Sequence, residues 1–329
     1  MHPRLVASLV AALELPPHSW LHRSPDGGWL LIRWDTGHLT FLDADLNGPV
    51  HELTLTDWPP GRLGTWVLAV APDRSAVAVV SHSGISVHDG SGRRRWHRAH
   101  RIEPKQLPCI PACHLDGENR LWAYLPSGDP DLLVVHDAGT GKEIARTALA
   151  SDVGGGSFLH HPDHPDALGL QVAMGQDGSI SWWAAVLGND LDLRRAASEC
   201  LTDTLPGGRY LAVPHDDLDD GITVRRWDDG SVLARRPLDD LTRHVVGEEV
   251  FVEVGVTVGS DHVIAAVYDP EDPEEAEHHV LLAAGTLETV AWLDYGEPVR
   301  VYSIAGAQGR RWLTHEGADQ PAKLWELPA

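Results

Sequence analysis

The sequence predicts an all-β fold in which a unit of four short strands is repeated seven times. Two observations within each unit support this: apolar residues alternate with polar ones at period two, and the segments are separated by turns rich in Gly, Asp and Asn. The third observation is the spacing of the first turn, which recurs about every 45 residues. These turns contain Asp26, Asp73, Asp116, Asp163, Gly207, Asp261 and Gly306.

The first unit is the clearest copy. It reads SWLHRSPDGGWLLIRWDTGHLTFLDADLNGPVHELTL and contains four alternating segments joined by the turns SPDGG, DTG and DLNG. The last unit, VRVYSIAGAQGRRWLTHEGADQPAKLWELPA, has only three segments. Sheets of this kind bury both faces when they are arranged radially, so we expect a single domain, a seven-bladed β-propeller, over residues 19–329.

The N-terminal segment, residues 1–18, has two possible structures. A strand within 9–15 would supply the missing fourth strand of the last unit and close the ring. The spacing of the apolar residues instead favours a helix that lies on the rim and ends at Pro16. These apolar residues are Leu5, Val6, Leu9, Val10 and Leu13.

The stretch VVHDAGTGKEIARTALA, residues 134–150, contains the letters GTGK. A phosphate-binding loop requires a glycine five positions before Gly141 and a Ser or Thr after the lysine. The chain has His136 and Glu143 at these positions. In the repeat register, DAGTGKE is the turn between the third and fourth strands of its unit, and we predict a hairpin.

The end of the third segment carries a recurring pair of residues. The pairs are Leu42/Asp43, His88/Asp89, His136/Asp137 and Trp227/Asp228. The last pair matches the WD dipeptide, and the chain resembles a WD40-type or quinoprotein-like seven-bladed β-propeller. The resemblance implies a scaffold for protein–protein interaction.

The repeat also assigns structural roles to several large side chains. Because His88 and His136 occupy a position that packs within a blade, we interpret them as core residues. We expect the tryptophans of the inner and middle strands to fill the space between blades. These are Trp29, Trp34, Trp122, Trp182, Trp227, Trp312 and Trp325.

The charge of the chain limits its partners. Lys plus Arg total 26 and Asp plus Glu total 48, which gives a net charge of −22. Such a charge disfavours binding to nucleic acid and favours a basic partner. The 3 cysteines indicate a reducing, cytoplasmic location. No apolar run is long enough for a membrane helix, and we expect a soluble monomer without a cofactor.

Three acidic segments fall between the second and third strands of their units. They are 126–131 (PSGDPD), 214–220 (PHDDLDD) and 269–279 (DPEDPEEAEHH). Repeat topology places all three on one face, where they would form a docking surface for a basic protein. The candidate partner-binding residues are Asp129, Asp131, Asp216, Asp217, Asp219, Asp220, Glu271, Asp272, Glu274 and Glu275.

The alternative hypothesis is a metal-dependent propeller hydrolase or lactonase. Imidazole and carboxylate ligands suit a divalent transition metal, and FLHHPDHPD, residues 158–166, concentrates both types. The candidate ligands at the central channel are His114, His160, His161 and Asp163. The segment CIPACH, 109–114, lacks the spacing of a haem or zinc motif. No motif of a known catalytic class is present, so we favour the interaction scaffold.

Overall fold

The computed structural model describes most of the chain. The described residues are 4–5, 8–15, 19–58, 66–100, 110–126, 130–151, 154–161, 167–173, 179–196, 199–214, 221–242, 250–269, 276–300, 304–315 and 321–328. Within them the structure is almost entirely β, and no helix there is long and apolar enough to cross a membrane.

The strands form seven sheets, each of which contains four antiparallel strands and is one blade of a ring. Two N-terminal strands come first, β1 (Arg4–Leu5) and β2 (Ser8–Leu13). Blade one contains β3 (Ser19–Arg23), β4 (Trp29–Arg33), β5 (His38–Leu42) and β6 (Pro49–Thr54). Blade two contains β7 (Trp66–Val70), β8 (Ala76–Ser81), β9 (Gly84–Asp89) and β10 (Arg94–Ala99).

Blades three to five follow in the same order. Blade three contains β11 (Ala112–Leu115), β12 (Arg120–Leu125), β13 (Asp131–Asp137) and β14 (Glu143–Leu149). Blade four contains β15 (Gly155–His160), β16 (Ala167–Ala173), β17 (Ser179–Leu187) and β18 (Asp190–Arg195). Blade five contains β19 (Glu199–Leu205), β20 (Arg209–Pro214), β21 (Ile222–Arg226) and β22 (Val232–Arg236), and is followed by one helical turn, α1 (Leu238–Leu241).

The last two blades are less regular. Blade six contains β23 (Phe251–Val258), β24 (His262–Tyr268), β25 (Ala276–Ala283) and β26 (Thr289–Leu293). In addition, β1 pairs with the edge strand β26, and β27 (Val299–Arg300) pairs with the beginning of β25. Blade seven contains β28 (Ile304–Gly306), β29 (Arg311–Thr314) and β30 (Ala322–Glu326). Its fourth strand is β2, which pairs antiparallel with β30 from Ser8 opposite Glu326 to Leu13 opposite Ala322.

Over Ser8–Leu13, the N-terminal segment is therefore a strand and not a helix. Three C-terminal strands leave the outer edge of β30 with unpaired backbone groups, which β2 satisfies. Hydrogen bonding to this edge outweighs the helical spacing of the local sequence, because backbone groups of both strands gain partners at once.

The hydrophobic core is divided among the blade interfaces. Buried apolar side chains of the described residues form seven clusters. Each cluster combines residues of two neighbouring blades, and one of them joins blade seven to blade one through Leu313, Leu324 and Trp29. Side-chain packing between blades seven and one thus closes the ring in addition to the pairing of β2 with β30.

The stretch 134–150 is the hairpin that the repeat predicts. It comprises the end of β13, a turn and β14. Asp137 accepts hydrogen bonds from the backbone N–H and hydroxyl of Thr140 at 2.7 Å each. These bonds lower the pKa of the Asp137 carboxyl. Gly141 has a φ of +73°, and the indole N–H of Trp96 in blade two donates to the carbonyl of Ala138 at 2.8 Å.

One of the residue pairs that carry the resemblance to WD40 propellers is out of register with the others. Arg226 occupies the hairpin position of Asp137, because the N–H of Gly230 donates to Arg226 as that of Gly141 does to Asp137. Trp227 is therefore not equivalent to His136. It lies two residues after the equivalent position in its own blade. It is nevertheless buried, at 2% exposure, in the interface between blades four and five.

Most of the predicted core residues are confirmed. His88 and His136 are buried, and so are Trp29, Trp122, Trp182, Trp227, Trp312 and Trp325. One prediction was wrong in detail, because Gly306 ends β28 instead of forming the turn. Trp34 is only partly buried, but it packs as predicted against the cluster between blades one and two. The turn residue Asp163 lies outside the described residues.

Gly141→Ala should destabilise the protein more than Gly188→Ala. Both glycines have positive φ, which costs about 1–2 kcal/mol for other residues. At Gly141 a Cβ would also lie 2.8 Å from the indole of Trp96, whereas nothing lies within 4 Å of one at Gly188. Overpacking adds roughly 1–3 kcal/mol. Urea unfolding measures both losses, and equal losses would contradict the contact with Trp96.

Asp116→Asn should destabilise blade three by about 3–5 kcal/mol, since it breaks a buried ion pair. The Asp116 carboxylate is buried and accepts bonds from the Nε of Arg120 at 2.6 Å and the indole N–H of Trp122 at 2.9 Å. Asp73→Asn is the control, because Asp73 caps its own turn through Ser75. Thermal and urea unfolding of both variants would test the difference.

Candidate functional site

The acidic segments of the sequence connect the second and third strands of their blades. They lie between β12 and β13, between β20 and β21, and between β24 and β25. We call the face that carries these connections, 126–130, 215–221 and 269–275, the loop face. First strands begin and second strands end at this face, and hairpins between first and second strands lie on the opposite one, the turn face.

Most of the candidate docking residues cannot be placed. Asp129, Asp216, Asp217, Asp219, Asp220, Glu271, Asp272, Glu274 and Glu275 lie outside the described residues. Asp131 is described and is fully buried, where its carboxylate accepts hydrogen bonds from the hydroxyls of Tyr124 at 2.8 Å and Ser151 at 2.9 Å. Asp131 therefore anchors the start of β13 and does not contribute to an exposed acidic surface.

A cavity opens in the central channel near the loop face. From β7 to β28, the first strands of neighbouring blades contact one another along the channel. The cavity has a volume of about 310 Å³ and lies among blades one to four. We call it the tryptophan cavity. Its lining includes Trp20, Trp34, Trp66, Ile110 and Phe158. Trp20 and Trp66 lie at the beginning of first strands, and Trp34 directly follows a second strand.

The tryptophans in the wall of this cavity form a cluster of tilted and edge-on rings. The rings of Trp34 and Trp66 are 4.0 Å apart between centroids, and Trp58 contacts Trp66 edge-on at 4.0 Å. The indole N–H of Trp58 donates to the carbonyl of Trp34 at 3.0 Å. By contrast, the buried indole nitrogens of Trp34 and Trp66 have no hydrogen-bond partner. Both nitrogens are shielded from solvent, and unpaired buried donors of this kind are destabilising.

Four histidines lie along the channel and share a lowered pKa. His22 lines the tryptophan cavity and retains accessible surface. Desolvation by the channel wall, with His315 as a neighbouring like charge, lowers the pKa of His22 to about 4. Burial lowers the pKa of His315 and lowers that of His114 well below its usual value. Desolvation also lowers the pKa of His160, although the nearby Asp116 raises it.

The structure brings together two of the four predicted metal ligands. The rings of His114 and His160 are 3.9 Å apart and perpendicular. His161 instead packs against Trp227 at 4.2 Å, and its backbone N–H bonds across the hairpin as that of Asp116 does. It is thus in the register of Asp116 and not, as the repeat suggested, of His114. Asp163 lies outside the described residues, within which no three His, Cys, Asp or Glu side chains form a metal-binding group.

The channel is more polar toward the turn face. A cavity of about 340 Å³ is lined by residues that include Arg23, Asp203, Thr257 and Gln308. Asp203 accepts bonds from the backbone N–H and hydroxyl of Thr257 at 2.8 and 2.6 Å. Burial raises the pKa of this carboxyl, while these bonds oppose the effect. Asp203 is thereby committed to holding blade five to blade six.

Sequence reasoning did not identify the tryptophan cavity. Trp20 and Trp66 were not singled out, and Trp34 was assigned to the space between blades. The available signal was their position, since all three lie at strand ends that face the same side of the ring. Trp66 and Trp34 pack into the cluster between blades one and two, whereas Trp20 remains 39% exposed.

Acidification should lower the stability of the protein through the channel histidines. Because their pKa values are lowered in the folded state, the unfolded state binds more protons below about pH 6.5. Stability is then fully present above that pH and is lost as the pH falls toward 4. The double variant His22→Gln/His114→Gln should lose less of its Tm between pH 7 and pH 4.5 than the native chain. His97→Gln, on an outer strand, is the control, and parallel curves for all three proteins would contradict the assignment.

Comparison with known proteins establishes what this architecture resembles. No protein-family model matches the chain, and no curated protein is significantly similar to it in sequence. Among solved structures, the β-propeller domain of Cps50 (Swd1) from Myceliophteria thermophila has a TM-score of 0.63 at 12% identity, covering 98% of this chain and 100% of that one. The WD40 repeats of RRP9 give 0.62 at 11%, covering 100% and 99%.

A structure of hydrazine synthase from Kuenenia stuttgartiensis is similar as well, with a TM-score of 0.59 at 14% identity and coverage of 97% of this chain and 96% of that one. At these identities the similarity concerns the fold and not the activity. Together with the seven four-stranded sheets, it shows that the chain is a seven-bladed β-propeller with the architecture of WD40 domains.

Proposed function

We propose that the protein is a non-catalytic interaction scaffold that binds a protein with a basic surface on its loop face. The observation that carries this proposal is the concentration of acidic residues in three connections that leave the same face. The segments 126–131, 214–220 and 269–279 contain no Lys or Arg. Their negative charge therefore has no basic neighbour within the same segments.

The turn face differs in this respect. Its carboxylates pair with arginines: Asp26 with Arg74, Asp116 with Arg120, and Asp45 with Arg311. Others bind within their own turns, as Asp229 does with Ser231. Because basic side chains neutralise the turn face, the electrostatic field of the ring is expected to be most negative at the loop face.

The carboxylates closest to the strands have a different role. Asp131, Asp269 and Glu277 are buried, and Glu277 lies 3.1 Å from the Nε2 of His279. They hold the ends of the connections in place. The remaining acidic residues of the three segments are those that we assign to partner binding, and a fixed base with variable loops is a common arrangement for recognition.

Neutralising one connection should weaken partner capture without unfolding the ring. The variant Asp216→Asn/Asp217→Asn/Asp219→Asn/Asp220→Asn should lose most of the protein captured from a lysate of the host at low salt, because long-range attraction falls with the removed charge. Surface substitutions of this type change stability by about 0.5 kcal/mol or less each. Mass spectrometry quantifies the captured protein, and thermal unfolding checks the fold.

A variant with the same change of charge elsewhere is the matched control. Asp190, Asp192, Asp228 and Asp261 are exposed and lie on β18 or in turn-face hairpins. Their replacement by Asn should leave capture intact. Equal losses in both variants would indicate a general charge effect, and unchanged capture in the first variant would exclude the 215–220 connection as the docking surface.

A further inference from the structure

The tryptophan cavity has the size and the apolar lining of a small-molecule site. Such sites have volumes of about 300–1,000 Å³ and combine an apolar lining with a few polar groups. The cavity, at about 310 Å³, is lined mainly by aromatic and aliphatic side chains, among them Trp20, Ile32 and Phe158. Trp20 is 39% exposed, although it is large and apolar. The cavity thus offers apolar surface whose removal from water would favour an apolar ligand group.

The cavity continues along the channel to a cationic side chain. A second cavity, of about 170 Å³, adjoins it and extends to Arg23. The two cavities share four lining residues, among them His22 and Cys113. Along β3, Trp20 and Arg23 are roughly 10 Å apart at about 3.3 Å per residue. The adjoining cavities therefore have an apolar end at the loop face and a cationic end within the channel.

Arg23 determines the charge of this space. The described linings of the two cavities include no other Arg and no Lys, Asp or Glu. Burial, with His315 as a like charge, lowers the pKa of His22 to about 4, and burial lowers the pKa of His114 well below its usual value. Both imidazoles are therefore neutral at pH 7. The described lining then carries one positive charge and no negative one, which favours an anionic ligand group.

The side chain of Arg23 has no counter-ion. It is exposed, and within the described part of the chain no hydrogen bond or ion pair engages its guanidinium. By contrast, Arg74 and Arg120 each pair with a carboxylate. Asp203, which lines the adjoining polar cavity, accepts hydrogen bonds from Thr257 instead. A free guanidinium of this kind can bind a carboxylate through two parallel hydrogen bonds.

The charge of Arg23 also acts on residues across the channel. Burial is the main cause that lowers the pKa of His160 in blade four, and Arg23 lowers it as well. Burial raises the pKa of Asp203 in blade five, whereas its hydrogen bonds and the charge of Arg23 oppose this rise. Because β3 belongs to blade one, these effects indicate that the guanidinium extends into the channel and not toward the outside of the ring.

We propose that the channel binds a small monocarboxylate with an apolar tail, whose carboxylate pairs with Arg23 and whose tail occupies the tryptophan cavity. The tail takes this direction because the cavity on the other side of Arg23 is polar and contains Asp203. Pairing with Arg23 offsets the hydration that the carboxylate loses on entering the channel. The site is independent of the acidic connections proposed to bind a protein, and either proposal can fail without the other.

Titration calorimetry with four matched probes tests the proposal. Octanoate carries both groups, 1-octanol has the same chain without a charge, octylammonium has the opposite charge, and acetate is a carboxylate without a tail. We expect octanoate to bind one site per chain and 1-octanol to bind at least about tenfold more weakly, the change expected for a hydrogen bond between charged groups. Octylammonium and acetate should bind more weakly than 1-octanol.

Three variants assign the binding to the two ends of the site. Arg23→Gln should weaken octanoate about tenfold or more and leave 1-octanol nearly unchanged, because it removes only the charge. Arg93→Gln removes the same charge from an exposed position between β9 and β10 and should change neither affinity. Ser157→Tyr should weaken octanoate and 1-octanol alike, because Ser157 is exposed and lines the tryptophan cavity, which the larger side chain can fill.

Specific outcomes would overturn the proposal. Absence of saturable octanoate binding to the native chain would reject the site. Equal affinities for octanoate and 1-octanol, or an unchanged octanoate affinity in Arg23→Gln, would reject the role of the guanidinium. Octanoate binding that is unaffected by Ser157→Tyr would place the tail outside the tryptophan cavity. Thermal unfolding checks the fold of each variant, and if Ser157→Tyr is unstable, the four probes and Arg23→Gln decide the result.

Discussion

Packing of each sheet against both of its neighbours is the interaction on which the rest of this structure depends. A four-stranded sheet with two apolar faces is unstable in water unless both faces are covered. Here the buried side chains of the described residues divide into seven clusters, each between two blades. The cluster between blades seven and one makes the ring closed, so every sheet has two covered faces.

This constraint determines where polar and functional residues can lie. Mid-strand positions are occupied by packing. Buried carboxylates are also used within the fold, as Asp116 in the turn after β11 is by Arg120 and Trp122. Residues at strand ends and in connections are free of this demand. The acidic connections and the tryptophan cavity both occur at such positions, and both lie toward the loop face of the ring.

The ring also explains the channel histidines. First strands converge at the centre, so side chains that extend inward are enclosed by several blades even where they retain accessible surface. That enclosure lowers the pKa of His22 and His114 and so keeps both imidazoles neutral at pH 7. The channel mouth and the acidic connections thus lie on the same face of the ring.

The sequence alone predicted the all-β class, the repeat of four strands and the hairpin at residues 134–150, because these follow from local alternation and turn chemistry. It predicted the burial of His88 and His136 from the repeat register. The same register failed for Trp227 and His161, since residues that look equivalent in the repeat do not occupy equivalent positions in the hydrogen-bonding pattern of their hairpins. Register is defined by hydrogen bonds across the hairpin, which sequence spacing does not report.

Tertiary structure decided the features that depend on residues far apart in the chain. The N-terminal segment forms β2 because β30 has an edge that would otherwise be unpaired. The local sequence alone left a strand and a helix as alternatives. Asp131 became a buried anchor because Tyr124 and Ser151 meet it. The tryptophan cavity joins side chains from blades one to four, and no local pattern encodes a space that exists only after the ring has closed.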